Sequence, residues 1–584
     1  MSIAKKMWYI FDRKQKIQFF RLMFMVLIGT SLETLGVTAI VPFINAIMSP
    51  NKILNNQYAK MVYDFLKLTK IEHFIIVLAL GLIGVYLLKN LFLMIMYYVQ
   101  FNFVHNNQVK LSNRLMLCYL NQPYAYHLQH NSAGLQTKVN ADVDNFFTTV
   151  LQLINVITDG CVCLALFVVL FITDKSITMG VVGIVVIFVL TFYRWYKVKM
   201  EKMGVQRRVY AKKSIQALHQ AFGGIKEIKV MGEERFFAKQ FNHNHKLMVD
   251  AKRQVNTYSM MPKPIMETLC IAGLMLVVSL KIYRGVDMDY FISTLAVFAL
   301  AVIRILPSSS RLTSNLSNLL YGKASVDAIY DDIKEIEVLE AGGEDESKNA
   351  VEAIAFERKM EAKDICFAYE NSDRNVLDGA SLTLPKNKMV AFVGASGAGK
   401  TTLADIILGI LQFSSGDMLV DGVSVKDNMR AWQKKLGYIP QTIYIIDDTI
   451  RRNVAFAAKD EDIDDAMVWK ALEDAQLKEF VEGLEDGLDT VIGERGSRIS
   501  GGQRQRIGIA RALYRDPAVL VLDEATSALD NETEKAIMDS IEALSGKKTM
   551  LIIAHRLTTI QNCDYVYRIE NGKAVLEKGE LIEQ

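Results

Sequence analysis

The sequence is poor in the residues that mark collagen-like, disordered or disulfide-rich chains. It has 9 prolines, 35 glycines and 6 cysteines among 584 residues, and such counts exclude a collagen repeat and a small disulfide scaffold. The cysteines are scattered except for Cys161 and Cys163, which lie in an apolar run and are expected to behave as small hydrophobic residues. We therefore expect reduced thiols and no zinc site.

Charge of one sign is also lacking, because the formal net charge is only +3. The mean hydropathy of +0.17 and the hydrophobic content of 51% lie slightly above the values typical of a soluble enzyme. The excess is too small for a chain that is apolar throughout. We interpret it as the average of an apolar half and a soluble half.

Six windows in the N-terminal half are long and apolar enough to cross a bilayer, which requires about 20 such residues per helix. The first window is too long for a secretory signal peptide, and no small-residue cleavage site follows it. We predict a transmembrane domain over 1–322. Its spans are predicted at about 20–48, 73–105, 143–173, 177–199, 262–284 and 288–312.

Lysine and arginine in the connecting segments predict the orientation of these spans. Residues 1–21 carry six basic residues against one acidic residue, and Arg194–Lys263 carries sixteen against five. Both termini and the two long loops are therefore expected in the cytoplasm. The basic residues mark the inner face of a membrane, so they do not indicate nucleic-acid binding. The loop segments have helical patterns, and we expect the spans to extend well beyond the membrane.

Ionisable residues within predicted spans are candidates for substrate contact. Lys89, Lys263 and Arg304 would form a cationic belt that attracts an anionic head group. Alternatively, Glu33, Asp159 and Glu267 pair with these three cations as structural salt bridges. Charge counting leaves both interpretations open. A further segment, Asn55–Lys70, has an apolar stripe at helical spacing and is either a helix on the outer membrane face or a packed linker helix.

The C-terminal part, 356–584, alternates strand and helix patterns after an expected linker at 323–355 that is rich in acidic residues. A predicted strand at Met389–Val393 leads into GASGAGKTT, Gly394–Thr402, and then into an apolar helix. This is the phosphate-binding loop in its strand–loop–helix context. Its backbone amides are expected to surround phosphate oxygens, while Lys400 reaches the β- and γ-phosphates and Thr401 binds Mg²⁺.

A second apolar strand ends in two consecutive carboxylates, Asp523 and Glu524, within AVLVLDEATSALD. Asp523 is expected to approach Mg²⁺, and Glu524 is placed to polarise the water that attacks the γ-phosphate. Four aliphatic residues directly before the pair argue against a merely solvated acidic surface. Together the two motifs predict a P-loop nucleotide hydrolase.

Five further motifs resemble those of the ABC ATPases, in the order of that family. ISGGQRQR, Ile499–Arg506, resembles the signature motif, with Ile499 in place of the usual leucine. The resemblance implies that Gln441 and Asp523, with Thr401, serve Mg²⁺, and that Glu524 and His555 are the catalytic residues. It also implies a nucleotide-binding set comprising Tyr369, Gly394, Ala395, Ser396, Gly397, Ala398, Gly399, Lys400, Thr401, Thr402, Gln441, Ser500, Gly501, Gly502, Gln503 and Asp530.

Six spans followed by one cassette resemble the half-size ABC exporter over the whole chain. The resemblance implies an α-helical transmembrane domain of ABC exporter type, followed by an α/β P-loop ABC ATPase domain with an antiparallel β subdomain. It implies ATP and Mg²⁺ as cofactors and a homodimer with two composite ATP sites. In position, segments near His127–Leu135 and Ile215–Phe222 match the family's coupling helices.

Three segments resemble the bacterial branch of exporters that flip lipid-linked oligosaccharides: Ser31–Ile44, Leu295–Leu312 and Pro440–Ile450. In that branch, basic residues matching Lys89, Lys263 and Arg304 line the cavity for a lipid pyrophosphate, and two of these positions are lysine here where the branch has arginine. The resemblance predicts an ATP-driven flippase for a polyprenyl-diphosphate-linked glycan in the bacterial cytoplasmic membrane. The alternatives are export of lipid A-type lipids, drugs or peptides and, in a different class, an ATP-gated channel or regulator.

Overall fold

The computed structural model describes most of the chain, and every structural statement below concerns those residues. They are 2–40, 43, 46–47, 61, 63–64, 70–173, 175–283, 288–342, 354–369, 372, 374–426, 428–523, 531–554 and 560–579. Contacts divide the chain into two units, 1–122 with 127–344 and 123–126 with 345–584. Each unit is described by itself.

The first unit is helical throughout its described residues. Several of its helices are far longer than a bilayer is thick, as the sequence predicts for spans that continue into the cytoplasm. The helices of residues 3–342 are α1 Ile3–Ile10, α2 Arg13–Thr38, α3 Ile71–Leu120, α4 Tyr124–Gln129, α5 Ser132–Thr137, α6 Val143–Thr173, α7 Lys175–Gly223, α8 Ile225–Met231, α9 Glu234–Met260, α10 Pro262–Tyr283 and α11 Met288–Gly342. The first three residues of α4 belong to the second unit. A short π-helical turn, Lys138–Asp142, joins α5 to α6.

Three stretches among the described residues are long and apolar enough to cross a membrane: Arg13–Gly36, Ile71–Leu120 and Ser132–Ile172. They overlap the first three predicted spans. Most side chains of 180–195 and 284–306 lie outside the described set, so the fourth and sixth spans remain predictions. The segment Asn55–Lys70 also falls almost entirely outside the described residues.

Helix α6 packs through one continuous apolar face. Val143, Phe146, Phe147, Val150 and Ile154 are all buried, and their spacing of three or four residues places them on one side of the helix. Helices α6 and α11 lie against each other over much of their length. This packing brings polar residues of the two helices together, including those described below.

Two segments of this unit are helical where the sequence suggested another arrangement, while the domain bounds remain predictions. The linker expected at 323–355 begins as helix, because α11 continues without interruption to Gly342. The residues expected to form the second coupling helix, Ile215–Phe222, instead belong to the end of α7. The separate short helix is α8, which lies between Gly223–Gly224 and the left-handed Gly232 (φ 69°). The glycines, which break the long helical pattern, set its boundaries.

The second unit contains two sheets. An antiparallel sheet has the order β2–β1–β4–β5, and a six-stranded sheet has the order β10–β9–β3–β8–β7–β6. Its strands are β1 Lys359–Phe367, β2 Leu377–Pro385, β3 Met389–Val393, β4 Ser415–Val420, β5 Val423–Ser424, β6 Leu436–Ile439, β7 Val519–Asp523, β8 Thr549–Ile553, β9 Tyr565–Glu570 and β10 Lys573–Lys578. Its helices are α12 Lys400–Ile407, α13 Met429–Gln433, α14 Ile450–Val454, α15 Asp465–Asp474, α16 Lys478–Glu482, α17 Gly501–Leu513 and α18 Asn531–Glu542.

The central strand β3 divides the core of this unit into two layers. Met389, Ala391 and Val393 pack into one apolar cluster, whereas Val390 and Phe392 pack into the other. This division follows from the alternation of side chains along a strand. A strand buried on both faces reads as a continuous apolar run, which is why β3 could be predicted from sequence. The predicted α/β domain with an antiparallel subdomain is confirmed.

Candidate functional site

The phosphate-loop and carboxylate motifs lie at one edge of the six-stranded sheet. Strand β3 runs parallel to β8, with Phe392 paired to Ile553. Strand β8 in turn runs parallel to β7, with Asp523 paired to Ile553. The carboxyl ends of neighbouring parallel strands meet at the same edge, which is where open α/β sheets bind ligands. The loop after β3 and the carboxylate that ends β7 therefore face one site.

The loop after β3 has backbone angles that glycine adopts readily. Gly394, Gly397 and Gly399 have φ values of 145°, 79° and 103°. A β-carbon on Gly394 would also lie 2.5 Å from the carbonyl oxygen of Ile569, so this position excludes larger residues. The glycines turn the chain tightly from β3 into α12, whose first residue is Lys400. Amides at the start of that helix are suited to an anion.

The three polar residues that open α12 differ in exposure. The Lys400 side chain is buried, and its Nζ donates hydrogen bonds to the carbonyl oxygens of Gly394 (2.9 Å) and Ala395 (3.0 Å). Thr402 is also buried, whereas Thr401 is exposed. The loop thus holds an ammonium group against its own backbone and presents the Thr401 side chain outward.

A second carboxylate, Asp405, lies near Asp523. Asp405 follows Lys400 by more than one turn of α12 and was not singled out from the sequence. Its burial, and then the negative charge of Asp523, raises the pKa of Asp405 to about 6. The site therefore contains one acidic group that is more easily protonated than an ordinary aspartate. Only the tertiary structure reveals it, because α12 and β7 contribute residues to the same apolar cluster.

Tyr369 lies near the start of α12. Its hydroxyl group is 3.2 Å from Oγ1 of Thr402, and its ring makes an edge-to-face contact with Phe367, with ring centroids 4.9 Å apart. The side chain is 38% exposed. Phe367 and Thr402 thus orient the ring, and its exposed face could stack against another planar group.

Gln441 follows β6 and is exposed. Strand β6 runs parallel to β7, with Ile439 paired to Leu522, so the segment after β6 also starts at the edge described above. Glu524, Asp530 and His555 lie outside the described residues, and their assigned roles remain predictions. Among the described residues, no cluster of three or more His, Cys, Asp or Glu side chains suits a metal ion.

The signature segment forms the start of α17. Ser500 is the N-cap, and its hydroxyl accepts a hydrogen bond from the amide of Gln503 (3.2 Å). The Gln503 side chain accepts one in return from the amide of Ser500 (2.8 Å). This reciprocal capping box fixes the first turn of a 13-residue helix. The amides of Gly501 and Gly502 lie in that turn, at the positive end of the helix dipole.

In the first unit, the structure places the predicted membrane cations in different surroundings. Lys89 is 4% exposed in α3, with its ammonium group 4.5 Å from the ring centroid of Tyr86. Lys263 is exposed at the start of α10. Arg304 lies in α11, and its side chain is outside the described set. The structure thus leaves the proposed cationic belt untested.

Asp159 has a partner that charge counting missed. Its carboxylate accepts hydrogen bonds from Nε of Arg311 (2.9 Å) and Nδ2 of Asn315 (3.2 Å). Arg311 was not among the three cations weighed against the three acids, because it lies at the edge of the last predicted span. The pairing of residues 159 and 311 follows from the packing of α6 on α11.

Comparison with known families decides the class of this protein. The ABC transporter transmembrane region matches residues 20–304, and the ABC transporter family matches residues 377–527. The ATP-dependent lipid A-core flippase of Vibrio vulnificus is 30% identical over 482 residues, which cover 80% of this chain and 79% of that protein.

The chain is a half-size ABC exporter. The ATP-dependent lipid A-core flippase of Haemophilus influenzae is likewise 30% identical to this exporter, over 79% of the chain and 78% of that protein. The structure of a bacterial Atm1-family ABC exporter with ATP bound has a TM-score of 0.74 and 20% identity, and the match covers 98% of this chain and 96% of that one. The exporter is membrane-embedded and couples ATP hydrolysis to transport.

Proposed function

We propose that this exporter is an ATP-driven flippase for a phosphate-bearing amphiphile, and in particular for a polyprenyl-diphosphate-linked oligosaccharide. The curated relatives named above act on lipid A-core, which also carries phosphate groups on a lipid. Lipid A-core is therefore the second candidate. Both substrates combine a long apolar part with an anionic head group. The first unit has long apolar helices together with buried charges, and this combination favours a substrate of that kind.

The observation that carries the ATP-dependent step is the shared sheet edge at which the Gly394–Thr402 loop meets Asp523. The loop angles and the start of α12 fit a triphosphate, and the exposed Thr401 and the strand-end Asp523 supply the oxygen ligands that Mg²⁺ prefers. Lys400 would contact the β- and γ-phosphates, and Gln441 would complete the metal surroundings. Glu524 would polarise the attacking water, with His555 beside the γ-phosphate.

We further propose a homodimer in the bacterial cytoplasmic membrane, with both termini and the ATPase domains in the cytoplasm. The capped start of α17 would bind the γ-phosphate of the nucleotide held by the partner subunit. Asp530 would lie at the same contact between the two ATPase domains. The chain has one cassette, so two complete sites require two chains. Mixing two inactive variants, Glu524→Gln and Ser500→Arg, tests this, because a shared site predicts that each mixed dimer regains one intact site and part of the ATPase activity.

Reconstitution in liposomes tests the transport function. We expect ATP-dependent movement of a fluorescent polyprenyl-diphosphate sugar or of labelled lipid A-core, and little movement of labelled phosphatidylcholine. The matched inactive control is Glu524→Gln, which should bind ATP but hydrolyse it at least about 100-fold more slowly, because the group that polarises water is lost. Equal ATP-driven movement of all three lipids, or movement of neither phosphate-rich lipid, would contradict the proposal.

A further inference from the structure

The pair formed by Asp159 and Arg311 joins a buried acid to a largely exposed base. The side chain of Asp159 is 7% exposed and that of Arg311 is 55% exposed. In a purely structural pair within a helical bundle, both groups are expected to be enclosed, because each isolated charge is costly in an apolar medium. Here the carboxylate is enclosed by protein, whereas the Arg311 side chain that is hydrogen-bonded to it stays more than half exposed.

One edge of the Arg311 guanidinium group is fixed and the other is available. Nε donates to Asp159 and Nη2 donates to Oγ of Ser308 (3.1 Å). Nη1 makes no hydrogen bond with any residue that the structure describes. A guanidinium group is planar and carries its N–H donors in a fixed fork that suits phosphate oxygens. Because Nε and Nη2 are held in this way, the Nη1 side of the guanidinium group points in a defined direction.

The surroundings of the pair are polar on several helices. Asn315 supports Asp159, and Sγ of Cys163 lies 3.8 Å from Oγ of Ser309. Glu33 of α2 and Tyr97 of α3 lie close enough to interact electrostatically with the pair. Lys89 lies beside Gly36, one turn from Glu33, so acids and bases are balanced locally. An anion would be attracted by the open donors of Arg311 rather than by excess positive charge.

The depth of the pair suits a lipid head group that has entered from the cytoplasmic side. Asp159 precedes the end of α6 at Thr173 by 14 residues, which corresponds to about 21 Å along the helix. The hydrocarbon layer is about 30 Å thick. With the proposed orientation, the pair lies in the inner half of the membrane, where an unsatisfied guanidinium edge requires either water or an anionic partner.

We propose that Arg311 binds a phosphate group of the transported amphiphile and that Asp159 is the positioning residue that orients it. This assignment rests on the proposed function and adds a residue to the candidates Lys89, Lys263 and Arg304. A diphosphate would accept hydrogen bonds from Nη1 and from the remaining N–H of Nη2. The carboxylate of Asp159 would keep Nε engaged, so that the side chain cannot fold away from the head group.

Binding of defined lipids to the full-length protein in nanodiscs tests the assignment. The probes are undecaprenyl diphosphate and lipid A, with undecaprenol and enzymatically dephosphorylated lipid A as neutral counterparts. Each affinity is measured by thermophoresis. We expect wild type to prefer the phosphorylated form, and Arg311→Gln to weaken its binding about 10-fold or more. Arg311→Lys should show an intermediate loss, because lysine keeps the charge and loses the fork.

Asp159→Asn separates the proposed role from a merely structural bridge. Asparagine still accepts a hydrogen bond from Nε and removes the competing negative charge, so phosphate-lipid affinity should stay within about 3-fold of wild type. Arg253→Gln, on the exposed surface of α9, is the matched charge-loss control and should bind as wild type does. Thermal unfolding of each variant identifies any protein that has failed to fold.

The outcomes distinguish this assignment from the function on which it rests. Loss of phosphate preference in Arg311→Gln, with retention in Asp159→Asn, supports the assignment. Equal losses in folded Arg311→Gln and Asp159→Asn would show a structural pair, and full retention in Arg311→Gln would show that another residue binds the phosphate. Either result overturns the assignment and leaves the proposed function intact. A wild-type protein that prefers neither phosphorylated lipid would overturn the proposed function itself.

Discussion

The carbonyl group of Tyr321 in α11 occupies the place where any residue other than glycine at position 204 would put its β-carbon. An ideal β-carbon on Gly204 would lie 3.1 Å from the carbonyl carbon of Tyr321 and closer still to its oxygen. The next residue of α11, Gly322, is covered in the same way by Thr149 of α6, whose Cβ and Cγ2 would each lie 3.0 Å from such a carbon. Two successive residues of α11 thus lie at close contacts with α7 and with α6.

Replacing Gly204 with alanine is therefore expected to force α7 away from α11. Backbone cannot rotate aside as a side chain can, so we expect a loss of about 1–3 kcal/mol in stability, seen as a lower thermal unfolding midpoint of the full-length protein in detergent. Gly81→Ala in α3 is the control, because a β-carbon there meets no atom within 4 Å. If both variants unfold at the wild-type temperature, α7 and α11 are not held at this distance in solution.

The ring of Tyr369 is expected to stack on the adenine of ATP. Tyr369→Ala removes a stacking surface that is typically worth 1–3 kcal/mol per base, so the KM for ATP should rise about 10-fold while kcat changes little. Tyr369→Phe retains the ring and loses only the contact with Thr402 (3.2 Å); its KM should stay near the wild-type value. Steady-state ATPase kinetics measure both. A Phe variant as impaired as the Ala variant would assign the effect to the hydroxyl group instead.

Local sequence patterns were sufficient to predict the strand, loop and helix of the candidate nucleotide site. Met389–Val393 forms a strand, Gly394–Gly399 forms the loop, and Lys400 opens a helix, as predicted. A fully buried strand, a glycine-rich turn and a helix start each have a signature within a few residues. The same applies to Ser500, where an N-cap serine is followed three residues later by the glutamine of a capping box.

Contacts between distant parts of the chain could not be predicted in this way. Asp159 and Arg311 are separated by 152 residues, and only the packing of α6 on α11 brings them together. Asp405 is influenced by the charge of Asp523 because α12 packs on the sheet that contains β7. The acidic stretch after 330 suggested a solvated linker, yet α11 continues to Gly342. Glu, Lys, Leu and Ala in this stretch are good helix formers, and the burial of Ile333 and Ile336 adds tertiary contacts that the acidic composition did not indicate.

The ion pair between Arg208 of α7 and Asp142 in the π-helical turn is expected to stabilise the packing of α7 against the start of α6. Asp142 is 2% exposed and accepts hydrogen bonds from Nε and Nη2 of Arg208, at 3.0 Å each to Oδ2. Arg208→Ala would leave the carboxylate buried with Ser325 as a remaining donor. Since Arg208 is itself partly exposed, we expect a loss of about 2–3 kcal/mol, below the range for fully enclosed pairs.

A double-mutant cycle measures this pair through thermal unfolding midpoints. Asp142→Asn combined with Arg208→Ala should be less destabilised than the sum of the two single variants, because the unpaired buried charge is removed. Arg253→Ala is the matched control: its pair with Asp250 on α9 (3.2 Å) is solvent-exposed and is expected to contribute less than about 1 kcal/mol. Strict additivity of the two single changes would contradict a direct interaction between Arg208 and Asp142.

Asp405 is expected to make the ATPase domain less stable as pH rises from about 4 to 6. Its pKa is raised from 3.8 to about 6 in the folded chain by burial and by the charge of Asp523. Below pH ~4 the group is protonated in both folded and unfolded chains and carries no penalty. Between about pH 4 and pH 6 the unfolded chain has released this proton while the folded chain still binds it, so stability falls as pH rises, by at most about 3 kcal/mol in total.

Asp405→Asn should therefore raise the unfolding midpoint at pH 7.5, and its advantage over wild type should shrink towards pH 4. The difference between the two proteins isolates this group, because the other carboxylates titrate alike in both. Fluorescence of the buried Trp432 can follow unfolding of this domain, with a chelator present and nucleotide omitted so that bound metal does not compete for Asp523. Asp539→Asn, at an exposed position, is the control and should show no such trend. If the difference between the two unfolding midpoints is the same at pH 4 and at pH 7.5, Asp405 titrates as an ordinary aspartate. Its burial beside Asp523 would then cost the folded domain nothing.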